Sequence, residues 1–184
     1  MLFSINMKRK HFINIIFIAV LAGIYFVPSV RLKLRELLFP VATVTDSEQL
    51  TESDWNIDLK GINTANANLK DFKGKTIFLN FWGSWCPPCR AEWGTIQNLY
   101  NTKQGKVTFV LIAMQDKEED IKKFLKENNY TAPVYIADSP ISDKLLPNVF
   151  PTTFILDKNG KTIVHETGAV DWNTEKIHQI IDKL

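Results

Sequence analysis

Two apolar runs restrict the fold more than any other feature of the chain: "TIFLNFW", Thr76–Trp82, and "VTFVLIAM", Val107–Met114. Runs apolar on both faces suit the central strands of a covered sheet. Between them, "CRAEWGTIQNLYNTKQG" places Trp93, Ile96, Leu99 and Tyr100 at helical spacing, with Gly105 after the end. Strand, helix and strand in this order predict a right-handed parallel crossover.

Other elements gather around that unit. "WNIDLKG" alternates Trp55, Ile57 and Leu59 with polar residues, the period of a half-buried strand, and a return strand is expected through Ala67–Leu69. After Met114, "QDKEEDIKKFLKENNY" predicts a second helix, with Asp116 as its cap, Glu119 three residues on, and a buried stripe of Ile121, Phe124 and Leu125. A strand at Pro133–Ala137 and a short helical piece in "SPISDKLLPN" follow. Two strands then flank a turn at Asn159 and Gly160, and a last helix carries Ile177, Ile180, Ile181 and Leu184. The order predicts an α/β three-layer sandwich with a mixed central sheet over residues 54–184.

The only cysteines, Cys86 and Cys89, fall where the first central strand gives way to the helix. A structural zinc site normally takes four ligands, and beyond this pair the chain offers only His11, His165 and His178. A copper site on Cys86, Cys89 and His165 finds one internal methionine, Met114, and that residue ends an apolar strand. Arg90 follows Cys89, where c-type haem attachment requires histidine. A disulfide kept only for stability closes too small a loop to constrain the unfolded chain much. Redox chemistry fits better. Unpaired N–H groups and partial positive charge at a helix N-terminus favour a thiolate at Cys86. Pro87 and Pro88 suit a first helical turn, where a missing N–H costs nothing. Cys86 is then expected as the exposed nucleophile and Cys89, one turn inside, as the resolving thiol.

"FLNFWGSWCPPCRAEW" together with "VFPTTFILDKNGK" resembles the TlpA/ResA family of membrane-anchored thioredoxin-like thiol-disulfide oxidoreductases, over roughly Asp54–Leu184. The resemblance implies a thioredoxin-like fold and a cis Pro151 lying against the redox pair, with Phe150, Pro151 and Thr152 meeting extended peptide. It also implies an apolar platform at Trp85 beside the sulfurs, and a proton-transfer role for Glu92 with Cys89. Glu92 has a plainer reading too, since an acid early in a helix is favoured by the macrodipole alone. Asn80 stands where ordinary thioredoxins carry a buried acid. Gly94 replaces a frequent proline, and Phe150 is bulkier than the usual residue before the second-motif proline. Trp55, Trp93 and Trp172 are expected as core or rim packing.

At the N-terminus, Lys8, Arg9 and Lys10 precede an apolar run, Phe12–Val30, that would reach roughly 28 Å as a helix. The expected organisation is a basic cytoplasmic stretch over 1–11, a transmembrane signal anchor over 12–30, a stalk and linker over 31–53, and the folded domain over 54–184. No convincing small-x-small cleavage site follows the run. A net charge of +2, with bases and acids interleaved, gives no reason to expect nucleic acid. The resulting expectation is a single-pass protein of the cytoplasmic membrane whose monomeric catalytic domain lies on the extracytoplasmic side. It would reduce disulfides of exported proteins, such as apocytochromes c, with electrons from a membrane donor and without metal or soluble cofactor. The rival readings are an anchored peptide-binding module and a disulfide oxidant or isomerase.

Overall fold

Seven strands form one sheet in the order β2-β1-β5-β4-β3-β6-β7 in the computed structural model, which describes residues 14–17, 20 and 49–184. The strands are β1 (Asp58–Gly61), β2 (Ala67–Asn68), β3 (Ile77–Trp82), β4 (Thr108–Ala113), β5 (Val134–Ala137), β6 (Thr152–Leu156) and β7 (Thr162–Thr167). The helices are α1 (Pro87–Lys103), α2 (Glu118–Asn128) and α3 (Glu175–Asp182). The pairs β3/β4 and β4/β5 run parallel, whereas β1/β2, β1/β5, β3/β6 and β6/β7 are antiparallel. The sheet is mixed, as the sequence predicts.

Strand β3 is central and buried along its whole length. Its side chains alternate between two cores. Phe78 and Trp82 join Trp93, Ile96, Leu99, Phe124, Trp172 and Ile177, a cluster to which all three helices contribute. Ile77, Leu79 and Phe81 join Ile57, Leu59, Leu69, Ile112 and Leu145 on the other face. Both parallel crossovers step in the same direction across the sheet, so one hand of connection places α1 and α2 on one side.

The second face departs from the expected three-layer sandwich. Its cover comes from the 3-10 turns Glu52–Trp55 and Leu69–Phe72 and from the loop before β6, with no α-helix among the described residues. The helical piece expected in "SPISDKLLPN" is a turn, bracketed by Pro140 and Pro147, in which Leu145 and Leu146 donate to the Ser142 carbonyl. Trp55 likewise closes a 3-10 turn instead of opening a strand, because the Asp54 carboxylate accepts the Thr51 N–H at 2.7 Å. Packing begins before residue 54: Gln49 bridges to Lys161, and Leu50 N–H donates to the Gly160 carbonyl at 3.0 Å.

Asp116 does not cap α2. Lys117 occupies that position without a side-chain cap, and the Asp116 carboxylate turns to the loop before Cys86.

The expected transmembrane segment, Phe12–Val30, lies outside the described residues except for 14–17 and 20, which are helical and exposed. Among the described residues no helix is long and apolar enough to cross a membrane.

Candidate active site

The C-terminal end of β3 delivers the chain into a tight turn. Cys86 N–H donates to the Gly83 carbonyl at 3.1 Å, and the helix then starts at Pro87 with both prolines in its first turn. Cys86 is the N-cap residue, and its Sγ accepts the N–H of Cys89 at 3.3 Å. The sulfur thus takes the place that a serine or aspartate oxygen takes at other helix starts, against one of the free backbone donors. Cys86 and Cys89 are joined as a disulfide with Cα atoms 5.3 Å apart.

Cys86 is far less open than the sequence suggests. Its exposure is 3%, against 0% for Cys89, so only the first sulfur-bearing residue reaches solvent at all. The turn folds Cys86 into the helix-side core while Trp85 stays half exposed beside it. The Trp85 ring meets the Phe150 ring edge-on, 5.6 Å between centroids, which brings the redox turn and the second motif together. The Phe150–Pro151 peptide is cis, as the family resemblance implies, and the buried Pro151 carbonyl accepts from Gly168 N–H at 2.8 Å. Thr152 is buried, and its hydroxyl donates to the Val149 carbonyl at 2.8 Å, closing the loop around Pro151.

Glu92 sits three residues after Cys89, on the same face of α1, and is 1% exposed. Its carboxylate accepts three hydrogen bonds: from Asn80 Nδ2 at 3.1 Å, Val170 N at 3.1 Å and Trp172 Nε1 at 3.0 Å. Burial lifts its pKa from 4.5 to about 7, and the three donors only partly offset that rise. An acid favoured merely by the macrodipole would stay at the surface. Glu92 is instead desolvated and hydrogen-bonded to Asn80 of β3.

Asn80 also donates to Thr153 Oγ1 at 2.8 Å, while its Oδ1 is buried with no hydrogen-bond partner among the described residues. An amide with a spare acceptor can rotate so that its oxygen accepts a hydrogen bond from the Glu92 O–H once the acid is neutral; the proton itself stays on the carboxyl.

Trp172 was expected as packing. It does pack, edge-on to Phe78 at 5.0 Å, but it also holds the acid and is itself fixed to α1 by Thr95 Oγ1, which accepts the Trp172 N–H at 3.1 Å. Val170 and Trp172 carry no motif, and Thr153 lies within the second motif with no role attached to it there. The one available signal was general, that a buried indole N–H seeks an acceptor. Trp55 and Trp93 are core residues as expected. His165 is exposed and stacks on Phe154 at 4.3 Å, and His178 contacts Asn173 Oδ1 at 2.9 Å, so neither joins the sulfurs.

A mixed sheet whose central strand feeds a Cys-Pro-Pro-Cys turn at a helix N-terminus, opposite a cis-proline loop, defines a thioredoxin-like thiol-disulfide oxidoreductase. A model of the Redoxin family matches residues 55–181. The chain is 33% identical to the thiol-disulfide oxidoreductase ResA of Bacillus thuringiensis subsp. konkukian, over 69% of this chain and 72% of that one. It therefore belongs to the redoxin family, in its TlpA/ResA-type branch, and is a thiol-disulfide oxidoreductase. Among solved structures, a DsbF homologue from Corynebacterium diphtheriae is 27% identical, with a TM-score of 0.57 over 76% of this chain and 94% of that one. A putative thiol:disulfide interchange protein DsbE from Chlorobium tepidum shares the fold, at 24% identity and a TM-score of 0.62 over 77% of this chain and 98% of that one.

Proposed function

We propose that this chain reduces disulfides of exported proteins, with Cys86 as the attacking thiol, Cys89 as the resolving thiol and Glu92 as the group that takes the Cys89 proton. The Cys86 thiolate attacks one sulfur of a substrate disulfide; the substrate S–S bond breaks, and the departing sulfur leaves as a thiolate that picks up a proton. Cys89, giving its proton to Glu92, then attacks Cys86 Sγ and releases the second substrate thiol. Two electrons pass to the substrate, and the pair ends as the disulfide. A membrane dithiol donor returns it to the reduced form.

The observation that carries this assignment is the asymmetry of the pair. Cys86 caps the helix, accepts a backbone N–H and keeps a trace of exposure, while Cys89 is fully buried one turn from a desolvated acid. Trp85 and Phe150 form the rim on which substrate peptide lies, with the buried Pro151 and Thr152 shaping the loop that carries Phe150. The basic cluster and apolar run before residue 31 support a single-pass anchor with the catalytic domain outside the cytoplasm, where protein disulfides persist. Apocytochromes c are the substrate class in best accord with the family resemblance.

Insulin reduction tests the exchange directly. Wild type is expected to turn over, Cys86→Ser to be inactive, and Cys89→Ser to accumulate a mixed disulfide through Cys86. Turnover by Cys86→Ser would overturn the role of Cys86. A redox titration sets the direction: related dithiols span roughly −270 to −120 mV, and a couple near the upper value would make the protein an oxidant.

A further inference from the structure

The turn that presents Cys86 is braced from outside its own helix. Two residues of the segment after β4, Met114 and Asp116, contact it. The Met114 carbonyl accepts the Trp85 indole N–H at 3.0 Å. The Asp116 carboxylate accepts from Ser84 N–H at 2.5 Å and from the Ser84 hydroxyl at 2.9 Å, and also takes the Lys117 N–H at 2.9 Å. Gln115 between them adopts φ +50, a left-handed conformation that a non-glycine residue adopts at a cost. Such a bend points the Met114 carbonyl and the Asp116 side chain at the same short turn. On the other side, Arg90 Nη1 donates to the Ser84 carbonyl at 3.3 Å.

Ser84 is therefore held through its N–H, its hydroxyl and its carbonyl, two residues before the reactive sulfur. Trp85 is folded back so closely that a Cβ at Gly83 would lie 2.5 Å from its Nε1, which leaves glycine the only residue that fits there. An open cleft of about 600 Å³ runs alongside, lined by Ser84, Trp85, Arg90, Asp116, Lys123 and Phe124.

We propose that Asp116 is a positioning residue for thiol-disulfide exchange: through Ser84 it fixes the Gly83–Cys86 turn, so that Cys86 Sγ stays on the free N–H groups of α1 and Trp85 stays beside it. The proposal rests on the reading of Cys86 as the attacking thiol. Helix capping, the role that the sequence suggests for Asp116, is given up for this contact.

The charge of Asp116 and its grip on Ser84 act on Cys86 with opposite signs. A nearby carboxylate disfavours a thiolate, so deleting the charge alone lowers the Cys86 pKa. Loss of the grip loosens the turn and draws the sulfur away from its donors, which raises it. Other charges close to the turn are Arg90 and the buried Glu92 on α1, Lys117 beside Asp116, and Asp120, Lys123 and Glu127 across the cleft on α2, and all remain in the variants.

The test is the pH dependence of Cys86 alkylation by iodoacetamide in the reduced full-length chain on a Cys89→Ser background. Asp116→Ala is expected to raise the Cys86 pKa by about one unit and to slow alkylation at neutral pH about tenfold. Asp116→Asn, which keeps one acceptor for Ser84, is expected to recover most of the rate. An unchanged or lowered pKa in Asp116→Ala would overturn the proposal. If that variant fails to fold, Ser84→Ala removes only the hydroxyl contact and is expected to shift the profile in the same direction by less; no upward shift there would overturn the proposal equally. Alkylation reads the thiol itself, so an exchange assay in which Cys86→Ser stays active would refute the functional reading without touching this result.

Discussion

The indole N–H of Trp172 donates to Glu92 Oε2 at 3.0 Å across 80 residues of chain. It joins the segment before the last helix to the helix that carries the cysteines, at a buried acid on the helix-side core. That acid lies one turn from Cys89, and the C-terminal segment reaches it through two hydrogen bonds, from the Trp172 indole and from the Val170 N–H.

Trp172→Phe keeps most of the ring and removes this donor. Glu92 then rises further above about 7, because one of the three bonds that favour its ionised form is gone. The expected outcomes are a Glu92 carboxyl titration displaced to higher pH by NMR, a parallel displacement of Cys89 reactivity, and a stability loss of about 1–3 kcal/mol by denaturant unfolding.

Glu92 also makes stability depend on pH. Its folded pKa, about 7, exceeds the unfolded value near 4.5, so the folded state binds more protons between the two. Stability is fully present below pH 4.5 and falls as pH rises through 7, by an amount on the order of 3 kcal/mol. In Glu92→Gln this slope is expected to vanish while slopes from other groups remain. Urea melts of both proteins at pH 5 and pH 8 check it, and equal slopes would remove Glu92 as the source.

Phe150 meets Trp85 edge-on beside the redox turn and, in the proposed function, completes the substrate rim. Phe150→Ala removes its edge contact with Trp85 and is expected to raise KM for a disulfide peptide about three- to tenfold with little change in kcat. A fall in kcat at constant KM would instead place Phe150 in the exchange step.

Gly160 tests the hairpin turn. It has φ +77, and a Cβ there would lie 2.6 Å from Trp55 Cζ2. Gly160→Ala is expected to cost about 1–3 kcal/mol in thermal or denaturant unfolding and to alter Trp55 fluorescence, with the redox potential unchanged.

Much of this architecture is legible in the sequence because it rests on local rules. β3, α1 and β4 follow from apolar runs and helical spacing, and the capping position of Cys86 follows from the two prolines after it. The misreadings share a cause. Asp116 has every local mark of a helix cap, yet a carboxylate satisfied by Ser84 serves two loops at once, and that partner lies 32 residues away. The exposure assumed for Cys86 failed because a tight turn, and not residue type, sets how deep a sulfur sits. The hydrogen bonds of Val170, Trp172 and Thr153 were not legible because long-range hydrogen bonds leave no periodicity. For Glu92 the chain position was readable, while its burial, which raises its pKa to about 7, depends on the whole helix-side core.

The bridge from Gln49 to Lys161 has a practical consequence. It attaches the incoming chain beyond the Leu156 end of β6, and Leu156 lies beside Ile77, whereas Thr152 and Phe81 lie toward the cysteines. At about 3.4 Å per residue, strand β6 keeps the point of entry some 15 Å from the redox rim. A surface or a carrier protein coupled ahead of Gln49 would pull on the far pole of the sheet. Immobilised that way, the enzyme should keep its redox turn clear of the support.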